Sequence, residues 1–71
     1  MAIHFSEQTR RVLELLASGL TNGEVADRLG VPSDMVRDLV VQAMVELTAS
    51  SKLELIVTAI RAGLIDPSRF F

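Results

Sequence analysis

The sequence predicts an all-α domain built from four helices. Apolar residues recur every three or four positions along most of the chain, as they do on the buried face of an α-helix. Each of these segments is preceded by a residue that can cap the start of a helix and is followed by glycine, proline or short polar residues. Seventy-one residues are enough for a single domain. We therefore expect one domain over residues 1–71, with helices at about 7–18, 22–29, 34–47 and 52–62 and a short C-terminal tail at 66–71.

The first two helices have clear start and stop residues. Ser6 precedes the first helix as a candidate N-cap, and Gly19 stands just beyond its end. Thr21 and Glu24 form a T-x-x-E capping box that begins the second helix. Gly30 ends this second helix.

The last two helices are delimited in the same way. Pro32 disfavours helical backbone at the residue before it, so a turn separates the second helix from a third that opens at Ser33 or Asp34. Ser51 and Glu54 form a second capping box, which begins the fourth helix. From their shared helical phase we expect the following side chains to be buried: Val12, Leu16, Val25, Leu29, Val36, Val40, Met44, Ile56 and Ile60.

Composition excludes several classes of function. The chain has no cysteine and a single histidine, His4, so neither a disulfide framework nor a thiolate or histidine metal site is expected. No apolar run approaches the length that spans a bilayer, and the first residues do not resemble a secretory signal. These absences predict a soluble, cytoplasmic protein that is not an enzyme and has no cofactor and no small-molecule substrate. The net charge of −2 argues mildly against DNA, since small nucleic-acid binders are usually basic.

The third helix has two distinct faces on a helical wheel. One arc is entirely apolar and is the expected core face: Val36, Leu39, Val40, Ala43, Met44 and Leu47. The opposite face carries acids and valines, flanked by one base and one amide: Asp34, Asp38, Val41, Val45, Arg37 and Gln42. Asp34 and Asp38 lie one turn apart, but no cleft, base or metal partner supports a catalytic carboxylate pair. We therefore assign no catalytic residue, and we leave open whether the two valines are ordinary surface or a protein contact.

The fourth helix has two apolar stripes. The first is the expected core stripe: Leu53, Ile56, Val57, Ile60 and Leu64. The second lies on the far side and consists of Leu55, Ala59 and Ala62. This second stripe is either neutral surface or a close helix–helix contact, and we favour a homodimer formed through it because a small chain gains stability from a partner.

The order of a short helix, a turn and a longer helix describes a helix-turn-helix. Over about 60 residues, from Phe5 to Ile65, the chain resembles the DNA-binding domain of LuxR/NarL-type (GerE-like) response regulators. The matching stretches are RRVLELLASGLTNGEVADRLGVP, the pair Val36-Arg37 and the ending AIRAGLI. Region 4 of sigma factors is a close second, because VRDLVVQAMVEL resembles its third helix; the fourth helix favours the LuxR-type interpretation.

The resemblance implies a tetrahelical helix-turn-helix whose third helix enters the major groove and whose fourth often supplies a dimer contact. Arg37 stands where the family has a lysine or arginine that contacts DNA. Arg28 and Lys52 match basic positions that can touch phosphate.

The departures from the family pattern fall on the DNA-facing positions. Asp34 stands where a lysine is common, and Asp38 where asparagine, threonine or valine is frequent. Val41 and Val45 replace polar or basic residues. Carboxylates facing a groove are repelled by both phosphate strands, so this surface is unfavourable for DNA.

Two hypotheses follow. The first is a small transcriptional regulator that binds DNA as a dimer through the third helix, with these contact candidates: Arg37, Asp34, Asp38, Val41, Gln42, Arg28 and Lys52. The alternative is a degenerate helix-turn-helix that serves as a protein-interaction or dimerisation module, for example by holding another helix-turn-helix regulator in a complex that does not bind DNA.

Overall fold

The computed structural model describes residues 5–66 and contains four α-helices in this range. They are α1 (Glu7–Ala17), α2 (Asn22–Leu29), α3 (Ser33–Leu47) and α4 (Lys52–Arg61). No strand occurs between residues 5 and 66. The predicted all-α class is confirmed, and every predicted helix boundary lies within one residue of the observed one. His4 and positions 67–71 of the expected tail lie outside the described residues.

Side chains cap three of the four helix starts. The Ser6 hydroxyl accepts a hydrogen bond from the Thr9 N–H at 3.1 Å. At α2 the capping box is complete: the Thr21 hydroxyl accepts from the Glu24 N–H at 3.2 Å, and the Glu24 carboxylate accepts from the Thr21 N–H at 2.9 Å. The bond from the Thr21 N–H stabilises the ionised carboxylate and lowers the pKa of Glu24 below its usual range.

The starts of the other two helices differ from expectation in detail. At α4 the Ser51 hydroxyl accepts from the Glu54 N–H, but the Glu54 carboxylate accepts from the Ser50 hydroxyl, so one of the two bonds of the expected box is present. At α3 the N-cap is Pro32, which makes no side-chain cap bond, and Ser33 is the first helical residue.

The ends of α2 and α3 both turn into left-handed backbone. Gly30 closes α2 with a φ of 69°, which costs glycine nothing. Thr48 closes α3 with a φ of 53°, a conformation that costs a β-branched residue about 1 kcal/mol. The helix nevertheless stops there, and the chain turns at Ala49–Ser51 to begin α4.

The core forms around α3, which packs against all three of the other helices. Val36, Val40 and Ala43 lie on its inner face and are buried. Their neighbours in the core come from every other helix and from the segment after α4: Val12, Leu13, Leu16, Val25, Ala26, Leu55, Ala59 and Ile65. Of the nine side chains predicted to be buried, five are; Leu29, Met44, Ile56 and Ile60 are only half-buried and pack on the edge of this core.

The predicted orientation of α4 is wrong. Leu55 and Ala59 are fully buried at 0% exposure, whereas Leu53, expected in the core, is 74% exposed and Val57 is 38% exposed. Apolar residues surround most of the circumference of α4, so its own pattern does not fix which side faces inward. Packing of α4 against both α1 and α3 decides the orientation, and it selects the side where the small Ala59 follows Leu55 by one turn.

This orientation predicts that Ala59→Glu destabilises the domain and that Ala62→Glu does not. Ala59 is fully buried, so a carboxylate there should cost at least about 3 kcal/mol. Ala62 is exposed at the end of the same helix, so the matched change should cost no more than about 1 kcal/mol. Urea denaturation followed by circular dichroism measures both. Equal stability of the two variants would contradict the burial of Ala59.

Candidate functional site

The outer face of α3 is the surface on which most of the predicted site residues meet. Asp34, Asp38, Val41 and Val45 follow one another at intervals of one helical turn, so they form a single line along the helix, here called the outer stripe. All four are exposed, with Val41 at 53% and Val45 at 74%. The stripe exists because the opposite face of α3 is held in the core.

Arg37, the one base of α3, lies beside an acid of the outer stripe. Its Nη2 is 3.8 Å from Oδ1 of Asp34, and both side chains are largely exposed. An exposed ion pair of this kind contributes only about 0–1 kcal/mol. Arg37 can therefore exchange this carboxylate for a phosphate at little cost.

The two other predicted basic contacts lie on α2 and α4. Lys52 Nζ donates a hydrogen bond of 3.0 Å to Oδ1 of Asn22, which joins the start of α4 to the start of α2. Arg28 is exposed in the last turn of α2 and helps to lower the pKa of Glu24 one turn earlier. The structure thus ties Lys52 to the helix that precedes α3, while Arg28 projects from the other end of that helix.

One flank of the outer stripe borders the start of α1. Gln42 shares a shallow, open depression with Phe5, Thr9 and Glu46. Nearer the start of α3, Gln8 Nε2 donates to Met35 Sδ at 3.5 Å. Gln42 is therefore exposed at the edge of the stripe, as predicted, with α1 as its neighbour.

At the other end of the stripe, the valines border an apolar depression. It is lined by Val41, Val45, Met44 and the chain that leaves α3 at Thr48 and Ala49. Met44 is half-buried and packs against the core, so the floor of this depression is continuous with the interior. We call it the end groove.

Of the three predicted dimer residues on α4, two are buried and one is exposed. Leu55 and Ala59 belong to the core and cannot touch a second copy of the folded chain, so this part of the prediction is wrong. Ala62 is exposed and remains available. Sequence reasoning missed Leu53 and Val57, one turn apart on the solvent side, because the same residues complete an equally regular core stripe.

No set of three His, Cys, Asp or Glu side chains between residues 5 and 66 is placed to hold a metal ion. Asp34 and Asp38 stand on an open helix surface, and Asp34 lies against Arg37. Both carboxylates are therefore part of an exposed helix surface.

The chain has no match among family models, curated proteins or solved structures. The likeness to LuxR/NarL-type domains therefore depends on the residue pattern alone and stays a prediction. None of the helices between residues 5 and 66 combines the length and the apolar character needed to cross a bilayer.

Proposed function

We propose that the chain is a small helix-turn-helix transcriptional regulator of the LuxR/NarL type, which binds DNA through α3 as a dimer in the cytoplasm. The observation that carries the proposal is the placement of α3. It follows a short helix and a tight turn at Gly30, its inner face is buried in the core, and its outer stripe is exposed. A rigid helix with one free face is what a major groove accepts.

Basic side chains supply the contacts to phosphate. Arg37, Arg28 and Lys52 are all exposed, and neither the ion pair of Arg37 nor the hydrogen bond of Lys52 is buried. Three such contacts are few, and α3 itself carries more acids than bases. Binding is therefore weak and sensitive to salt.

The outer stripe and its flank supply contacts to base edges. Asp34 and Asp38 accept hydrogen bonds from the amino group of cytosine, and Gln42 recognises adenine. Val41 fits against the methyl group of thymine. This set provides sequence recognition only when the phosphate contacts hold α3 in place.

A dimer forms through the solvent side of α4. Leu53 and Val57 make an apolar pair, and Glu54 and Arg61 lie beside it towards opposite ends of the helix. In an antiparallel pair of α4 helices about a twofold axis near Val57, Glu54 of each copy lies beside Arg61 of the other.

The alternative is a protein-interaction module that has lost DNA binding, with another helix-turn-helix regulator as one possible class of partner. Val45 favours it, since an apolar side chain that is 74% exposed on a groove-facing helix contributes nothing to phosphate binding. The same helix carries acids where a DNA reader needs bases.

A DNA titration at several salt concentrations tests the proposal. Three phosphate contacts per chain predict that log affinity falls with log salt with a slope of about −3 per monomer. Arg37→Ala should make this slope about 1 less steep. Arg10→Ala is the matched control, because Arg10 also pairs with an acid three residues earlier, at 3.9 Å from Glu7, but lies on α1. Fluorescence anisotropy of a labelled duplex measures all three proteins; an equal loss in both variants, or no binding at low salt, would reject the proposal.

Restoring a basic outer stripe should strengthen DNA binding. Asp34→Lys with Asp38→Asn removes two repelled charges and adds one attracted charge, each worth on the order of 1 kcal/mol near phosphate. We expect at least about a tenfold gain in affinity for random-sequence duplex at low salt. Both residues are exposed, so stability should change by no more than about 1 kcal/mol. A lower affinity in a folded double variant would mean that the hydrogen bonds of the two carboxylates to bases outweigh their repulsion from phosphate.

The dimer should depend on Val57 and not on the outer stripe. Val57→Glu places a charge in the proposed α4 contact without disturbing the core, since this side chain is 38% exposed. Sedimentation velocity at micromolar concentration should show a monomer for Val57→Glu and a dimer for Val41→Glu, the same change on α3. A dimer in both variants would place the contact elsewhere.

A further inference from the structure

The outer stripe is divided into two chemically different halves. Its first half, near the start of α3, presents the carboxylates of Asp34 and Asp38. Its second half presents Val41 and Val45, with the end groove beside them. Glu46 adds another exposed acid next to the valines. The stripe is thus acidic at one end and apolar with an acidic margin at the other.

This division determines which partner fits. A second copy paired antiparallel along the stripe would place Asp34 and Asp38 against the valines, where the carboxylates lose hydration without gaining a partner. A second copy paired parallel and in register would place carboxylate against carboxylate. The stripe is therefore not complementary to itself, and its occupant must carry bases opposite the acids and apolar groups opposite the valines.

We propose that the outer stripe is a docking surface for a basic amphipathic helix of another protein. Docked antiparallel to α3, such a helix has two apolar side chains near its start and two lysines or arginines near its end, all on one face. The antiparallel direction also brings the C-terminal end of the partner helix, where the helix dipole is partially negative, to the start of α3, where the dipole is partially positive. The first apolar side chain enters the end groove between Val45 and Ala49, so a large one such as leucine or phenylalanine is preferred. This partner covers the face that the proposed function gives to DNA, so the two exclude one another; the docking itself does not depend on DNA binding.

A designed peptide tests the docking surface. The probe has two leucines one turn apart followed, one turn further on, by two lysines one turn apart, in an alanine-rich helix of about 18 residues. It is titrated into isotopically labelled full-length chain, and backbone amide shifts are followed by NMR. We expect saturable shifts along the outer stripe, centred on Val41 and Val45, that weaken as salt is raised.

The structure offers a matched pair of variants for this titration. Val45 is 74% exposed on α3, and Ala62 is an exposed apolar residue at the end of α4, away from the outer stripe and from the pair Leu53 and Val57. Val45→Ser should weaken peptide binding about tenfold, and Ala62→Ser should leave it unchanged. A second peptide with glutamates in place of the lysines should not bind.

Three results would overturn the inference: equal losses in the two serine variants, equal binding of the glutamate peptide, or the same amide shifts on concentrating the chain alone, which would indicate a second copy.

A duplex DNA titration on the same labelled chain separates this inference from the proposed function. Shifts at Arg37 and Lys52 with DNA but none with peptide would reject the docking surface alone. Peptide binding without DNA binding would support the docking surface and reject the proposed function.

Discussion

Burial of the inner face of α3 is the constraint on which the rest of the structure depends. Val36, Val40 and Ala43 meet side chains from the other three helices in one buried cluster, and α3 is the helix that packs most extensively against the others. A 71-residue domain hides only about 60% of the surface that its unfolded chain exposes, so its stability comes from this one cluster. Fixing one side of α3 inward necessarily fixes its other side outward.

The charge and polarity of the outward side of α3 therefore have little effect on the stability of the fold. Exposed residues on a helix can change charge and polarity almost freely, since their contribution to stability is small. This freedom allows α3 to carry an acidic and apolar outer stripe on a four-helix scaffold. The ion pair between Arg37 and Asp34 is part of the same surface: its exposure makes it weak, and so leaves Arg37 exchangeable.

α4 shows how tertiary packing divides a helix that is apolar on nearly every side. The core takes Leu55 and Ala59, and the leftover apolar residues, Leu53 and Val57, become surface. A lone exposed leucine is unremarkable in a monomer, but a leucine and a valine one turn apart with a complementary acid and base beside them form a surface that suits a symmetric partner. The interface that we propose for α4 thus follows from the packing of Leu55 and Ala59 into the core, which leaves Leu53 and Val57 exposed.

The sequence by itself determined the elements and the orientation of α3. Caps such as Ser6 and Thr21 act through bonds to residues only three positions away, so local sequence contains all the information needed to place helix boundaries. The orientation of α3 followed for a related reason, since polar and charged residues lie outside one continuous apolar arc and leave one inward orientation. Only the tertiary structure decided the orientation of α4 and the link from Lys52 to Asn22. For α4, apolar residues lie on both candidate inward faces, and packing against α1 and α3 selects between them. For Lys52, the partner is 30 residues away along the chain, and no local pattern predicts which helix ends meet.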